Sequence, residues 1–131
     1  MCNICVFAGT TEGRELVEFL AGQPVQATVC VATEYGETLL PEAENITILA
    51  GRIPVEDIIR MLQRMRFDLV IDATHPYATS ITRASAQPVG KRRRSICVCC
   101  GNPPNRRRMW SAWRMRRRPP HFWRVREAIS C

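Results

Sequence analysis

The chain has 131 residues, 46% of them apolar, which suffices for one ordinary domain with a buried core. No run approaches the roughly 20 apolar residues that span a bilayer, and residues 1–8 carry neither the basic stretch nor the long apolar run of a secretory signal. Together these features exclude a membrane-spanning protein and predict a cytoplasmic one. The seven cysteines fit a reducing compartment too: Cys5 and Cys30 sit inside apolar runs, and Cys97, Cys99 and Cys100 match no C-x-x-C zinc spacing that His121 completes, so no metal is expected.

Charge divides the chain. Residues 1–87 hold 6 Arg against 11 acids, a net −5, whereas residues 88–131 hold 13 Lys and Arg against the single acid Glu127, a net +12. All three Trp and five of the nine Pro lie in the second piece. A domain over residues 1–87 and a basic tail over residues 88–131 are predicted.

Residues 4–8 (ICVFA) are wholly apolar and stop at Gly9, as befits a strand buried on both faces. A helix is predicted over residues 12–21. Leu16, Val17 and Leu20 form its apolar face, Glu12 and Glu15 lie at its positive end, and Gly22 and Pro24 stop it. Residues 27–32 (ATVCVA) read as a second strand and residues 46–49 as a short third. A second helix follows over residues 54–65: Pro54 suits its first turn, and Val55, Ile58, Ile59 and Leu62 make one stripe. Residues 68–72 (DLVID) form a fourth strand, and Pro76 opens a third helix over about 77–87. This alternation predicts a right-handed, doubly wound parallel sheet, whose ligands bind beyond the carboxyl ends of the strands.

That rule selects four segments. Gly9, Thr10, Thr11, Glu12 and Gly13 join the first strand to the first helix, where free N–H groups favour a phosphate; the same residues also read as an ordinary turn capped by Thr10 or Thr11. Thr33, Glu34, Tyr35 and Gly36 follow the second strand, where an acid can take the ribose hydroxyls of NAD, or can simply be solvated. Gly51 and Arg52 follow the third. Asp72, Ala73, Thr74, His75, Pro76 and Tyr77 form the densest cluster: His75 can move a proton or donate to a phosphate, and Tyr77 can pack on a planar ring, unless both merely cap and pack.

The runs VFAGTTEGREL, VATEYG, AGRI and DATHPYA, in that order, resemble the precorrin-6A reductase family, including its cobalt-precorrin form. The resemblance covers about 80–87 residues, and DATHPYA is its most specific part. It implies a Rossmann-like α/β domain in which Gly9, Thr10, Thr11, Glu12, Thr33, Gly51, Arg52, Thr74, His75, Pro76 and Tyr77 line the cleft of NADPH or NADH. It implies hydride transfer from the nicotinamide to a C=C bond of a tetrapyrrole, a precorrin. His75 and Tyr77 are the candidates for a proton donor. The protein is expected to be a monomer.

Residues 88–131 resemble nothing in that family and show no period of 2 or 3.6. One reading is a nucleic-acid-binding basic arm beside a nucleotide-binding domain. The favoured reading is a shifted frame: Arg, Trp, Pro and Cys runs are what GC-rich coding DNA yields out of frame. With permitted codons, residues 94–101 re-read as the strand VYLRLLRE, and residues 108–131 as an amphipathic helix with a Gly-rich turn. The expectation is therefore a Rossmann-like doubly wound sheet, truncated after about Gln87, with a disordered tail. Such a chain lacks the family's second, closing domain and is expected not to reduce a precorrin at a useful rate, because it cannot fix the two rings at near-attack distance.

Overall fold

Strands made wholly of apolar residues must be covered on both faces, and the chain meets this demand with helices on either side of one sheet. The computed structural model describes residues 2–75, 78–85, 94–97 and 129. Its strands are β1 (Cys2–Ala8), β2 (Val25–Val31), β3 (Ile46–Ala50), β4 (Leu69–Ala73) and β5 (Arg94–Cys97). Its helices are α1 (Thr11–Ala21), α2 (Glu34–Thr38), α3 (Val55–Arg64) and α4 (Thr79–Ser85). The strands lie in the order β3-β2-β1-β4-β5, and every neighbouring pair is parallel. This is the predicted doubly wound, Rossmann-like arrangement.

The period of two along each strand sorts side chains into two layers. Ile4, Val6 and Ala8 of β1 join Val25, Ala27, Val29 and Val31 of β2 and Leu69 and Ile71 of β4 beneath Leu16, Val17 and Leu20 of α1. Cys5 and Phe7 point the other way, with Cys30 and Val70, to meet Ile58 and Leu62 of α3 and Ala84 of α4. Each fully buried Val, Leu, Ile or Phe side chain contributes about 1.5–3 kcal/mol, so these layers carry most of the stability. In the second layer the Cys5 thiol hydrogen-bonds the Cys30 sulfur, which lowers the Cys30 pKa, while burial pushes it up.

Elements and expectation differ at three places. Pro54 is the N-cap of α3 rather than a residue of its first turn: its ψ of 148° is extended, and the helix begins at Val55. The turn after β2 contains a short helix, α2, capped by the Thr33 side chain. The third difference concerns the boundary at Gln87. Arg94–Cys97 pairs with β4 in register, Leu69 opposite Arg94 and Asp72 opposite Cys97, so the basic segment contributes the fifth strand. Ile129 is half-buried against the α1 layer. Backbone pairing to an open sheet edge asks little of side-chain type, which is how a strand forms inside a run of Arg and Cys. Apart from β5 and Ile129, the expected disorder of residues 88–131 falls outside the described residues.

One side chain fastens the start of β3 to the end of α1. Asn45 Nδ2 donates to the carbonyls of Leu20, Gln23 and Val25 at 3.0, 3.1 and 3.0 Å. Removing it strands partly buried acceptors, each worth roughly 1 kcal/mol or more when left unpaired. Asn45→Ala should therefore destabilise the chain by about 2–3 kcal/mol. In urea unfolding the midpoint should fall with the slope unchanged; an unchanged midpoint would show that water replaces the amide.

Candidate functional site

A parallel sheet delivers all its strand carboxyl ends to one edge. The order β3-β2-β1-β4 therefore sets Gly51 and Arg52, then Thr33 to Gly36, then Gly9 to Gly13, then Thr74 and His75 in successive loops along that edge. Pro76 and Tyr77 lie outside the described residues.

Between β1 and α1, Thr10 is the N-cap, with φ −129° and ψ 169°. This decides between the two threonines that the sequence left open. The Thr10 hydroxyl accepts the Gly13 N–H at 3.1 Å and donates to the Ala73 carbonyl at 3.0 Å. The turn is thus fastened to the end of β4 across the sheet. The Thr10 carbonyl accepts the Arg14 N–H at 3.1 Å. The N–H groups of Thr11 and Glu12 belong to the first turn and have no intrahelical acceptor; they sit at the positive end of α1. The two glycines of the turn serve different ends. A Cβ on Gly13 would stand 3.2 Å from the Ala73 Cβ and carbonyl oxygen and 3.3 Å from the Ala8 Cα, so Gly13 lets α1 press onto the sheet. Among the described residues, a Cβ on Gly9 would meet the Thr74 Cα alone, at the ordinary contact distance of 3.8 Å.

At the end of β4, buried Asp72 turns back on its own loop. Its Oδ1 accepts the Thr74 N–H at 3.1 Å and the Thr74 hydroxyl at 2.6 Å. This side-chain turn fixes the chain leaving the strand, and it brings His75 out exposed at the edge. Asp72 Oδ2 is buried and has no hydrogen-bond partner among the described residues, an acceptor with capacity for one more donor. The motif reading singled out Thr74 and His75; it missed that Asp72 holds them. The signal was present as an acid two residues before a threonine in a turn.

The outer part of the edge is built from β2 and β3. Thr33 Oγ1 accepts the Gly36 N–H at 3.0 Å, so its hydroxyl is engaged within the loop. Gly51 has φ 118°, a conformation open to glycine, and its N–H donates to the Val31 carbonyl at 2.9 Å. Arg52 follows directly and is exposed; Tyr35, in α2, is 73% exposed.

Chemically, this edge offers an anion site with room for backbone approach beside Gly9, an exposed imidazole at one end, and a cation and an aromatic ring at the other. Among the described residues, the room beside Gly9 and the first-turn N–H groups of α1 without an intrahelical acceptor are features that a diphosphate requires. No helix among the described residues is long and apolar enough to cross a membrane.

Comparison with known proteins gives a consistent picture. The family model described as precorrin-6x reductase CbiJ/CobK matches residues 3–109. The cobalt-precorrin-6A reductase of Synechocystis is 28% identical over 82 residues, covering 63% of this chain and 31% of that protein. The precorrin-6A reductase of Mycobacterium tuberculosis is 30% identical over 107 residues, covering 70% of this chain and 36% of that protein. That of Rhodococcus erythropolis is 29% identical over 124 residues, 94% of this chain and 45% of that protein. A solved structure of CobK precorrin-6A reductase superposes with a TM-score of 0.55 at 31% identity, covering 72% of this chain and 38% of that one. The chain thus spans between 31% and 45% of the length of these curated relatives. The family match runs past the last of the motifs to residue 109 and takes in β5. That continuity disfavours a foreign nucleic-acid arm.

Proposed function

Since the chain belongs to the precorrin-6x reductase family, we propose that it forms the dinucleotide-binding part of an NAD(P)H-dependent precorrin-6A or cobalt-precorrin-6A reductase of cobalamin biosynthesis. The observation that carries this reading is the β1–α1 turn. Among the described residues it leaves room for a backbone approach at Gly9 beside the α1 N-terminus, and it is tied through Thr10 to Ala73 at the end of β4. When bound, a nicotinamide dinucleotide supplies the hydride that a C=C bond of the macrocycle takes up.

The chain's own residues hold and orient. The N–H groups of Thr11 and Glu12 hold the diphosphate, and Gly9 admits it. The Asp72–Thr74 turn fixes the loop that would line the nicotinamide end of the cleft, and Asp72 Oδ2 would offer a further acceptor there. His75, exposed beside them, is the described side chain placed to pass a proton to the reduced ring. Positioning is the main contribution, because holding two reactants in line can supply roughly 7–11 kcal/mol of a barrier.

The test is a fluorescence titration of the full chain with NADPH and with NADH. Saturable enhancement of the dihydronicotinamide emission by at least one of them is expected. No binding of either at millimolar concentration would overturn the reading.

A further inference from the structure

We infer that Arg52 is the residue that sets cofactor choice, by taking the 2′-phosphate of NADPH at the outer end of the edge. This rests on the dinucleotide reading above and names what part of the ligand lies over β2 and β3.

Three observations carry it. First, the two residues that leave β2 directly carry no carboxylate, and the nearest acid, Glu34, follows them in α2. The residues leaving the strand are Ala32 and Thr33, and the Thr33 hydroxyl is engaged by the Gly36 N–H at 3.0 Å. An acid at a strand end would hold the two ribose hydroxyls and repel a phosphate; here that position is filled by a side chain turned to its own loop. Second, the backbone holds Arg52 beside that position. Val31 pairs with Ala50, and the Gly51 N–H closes onto the Val31 carbonyl at 2.9 Å. Gly51 turns the chain there with φ 118°, so Arg52 leaves the sheet next to the β2–α2 turn. Third, Arg52 is an uncommitted cation. It is exposed and makes no ion pair among the described residues, whereas Arg14 and Arg60 are paired with Glu18 and Asp57. A guanidinium presents a planar fork that matches phosphate oxygens in pairs. Tyr35, on the same edge, offers an exposed flat ring for the adjoining base.

Glu34 is the opposing arrangement. It is the first residue of α2 and lies one position beyond the cap, exposed. If it, rather than Arg52, meets the ribose, the preference reverses to NADH.

The experiment titrates the full chain, and its Arg52→Ala and Arg52→Lys variants, with NADPH, NADH, 2′,5′-ADP and 5′-AMP by calorimetry. The parent should bind NADPH and 2′,5′-ADP about ten- to a hundredfold more tightly than their counterparts without the 2′-phosphate, as one charge-assisted contact allows. Arg52→Ala should abolish that difference while leaving NADH affinity unchanged, and Arg52→Lys should retain part of it. The difference should shrink as salt rises, because the contact is exposed. Equal binding of NADPH and NADH by the parent, preference for NADH, or a preference that survives Arg52→Ala would each overturn this inference and leave the dinucleotide reading standing. Absence of binding by all four ligands would overturn both.

Discussion

Replacing Gly13 with valine should destabilise the chain by about 3 kcal/mol or more, a large part of the roughly 5–15 kcal/mol that holds a small domain together. The cause is local and severe. The added Cβ would press on the Ala73 carbonyl oxygen at 3.2 Å and the Ala8 Cα at 3.3 Å, both backbone atoms of the two central strands. Neither can step aside without disturbing the ladder that pairs Ala8 with Ala73. Overpacking of this kind costs about 1–3 kcal/mol for ordinary side chains, and the two further methyl groups of valine add volume to a contact that is already tight at the Cβ. Gly13→Ala should cost less, about 1 kcal/mol, because the gain of roughly 1 kcal/mol in helix propensity offsets part of the clash. Urea unfolding of the three proteins measures the series. A valine variant as stable as the parent would mean that α1 can ride further from the sheet than the Gly13 contacts indicate.

The same residues show what could be read in advance. The runs ICVFA and DLVID announced their strands, because in a parallel sheet both faces are covered and nearly every position must be apolar. The stripe of Val55, Ile58, Ile59 and Leu62 announced α3, because a helix buries one side; Ile58 and Leu62 are its buried pair. The rule that ligands gather at strand carboxyl ends then selects four loops, which the parallel sheet does bring to one edge. What escaped were features that depend on neighbours in space. Helix α2 is five residues long and contains Gly36, so its composition is that of a loop; what makes it helical is the Thr33 cap bond to Gly36. β5 stands in a run of Arg and Cys and exists because β4 offers an open edge, which no local period reveals. The roles of Thr10 and Asp72 were similarly hidden. The sequence offers Thr10 or Thr11 as a cap, but the second bond of Thr10 reaches Ala73, 63 residues away, and only the folded sheet brings that carbonyl within range. Asp72 reads as the last residue of a strand until its oxygen is seen to hold both donors of Thr74.

Gly9→Val should have the opposite character to Gly13→Val: little loss of stability and a loss of at least a hundredfold in affinity for NADPH and NADH alike. Gly9 does not lie in the left-handed region, since Gly51 is the described glycine with positive φ. Its backbone therefore accepts a branched residue without strain, and among the described residues the nearest heavy atom to an added Cβ is the Thr74 Cα at the ordinary contact distance of 3.8 Å. The unfolding midpoint should shift by no more than about 1 kcal/mol equivalent, as for an exposed substitution. Binding is another matter. The valine methyl groups would occupy the open space over the first turn of α1, where the diphosphate must approach for the N–H groups of Thr11 and Glu12 to reach it. Hydrogen bonds to a charged group are worth about 1.5–3 kcal/mol each, so losing two costs at least about 3 kcal/mol, or roughly a hundredfold in affinity. Because the diphosphate is common to both cofactors, NADPH and NADH should weaken by the same factor, which separates this variant from Arg52→Ala. Gly9→Ala, which adds a single methyl, should fall between parent and valine. The measurement is titration of the three folded proteins with both cofactors, each first checked by its circular dichroism and unfolding midpoint. Equal affinity in the parent and in a well-folded Gly9→Val would place the phosphate away from this turn and remove the observation on which the proposed function stands.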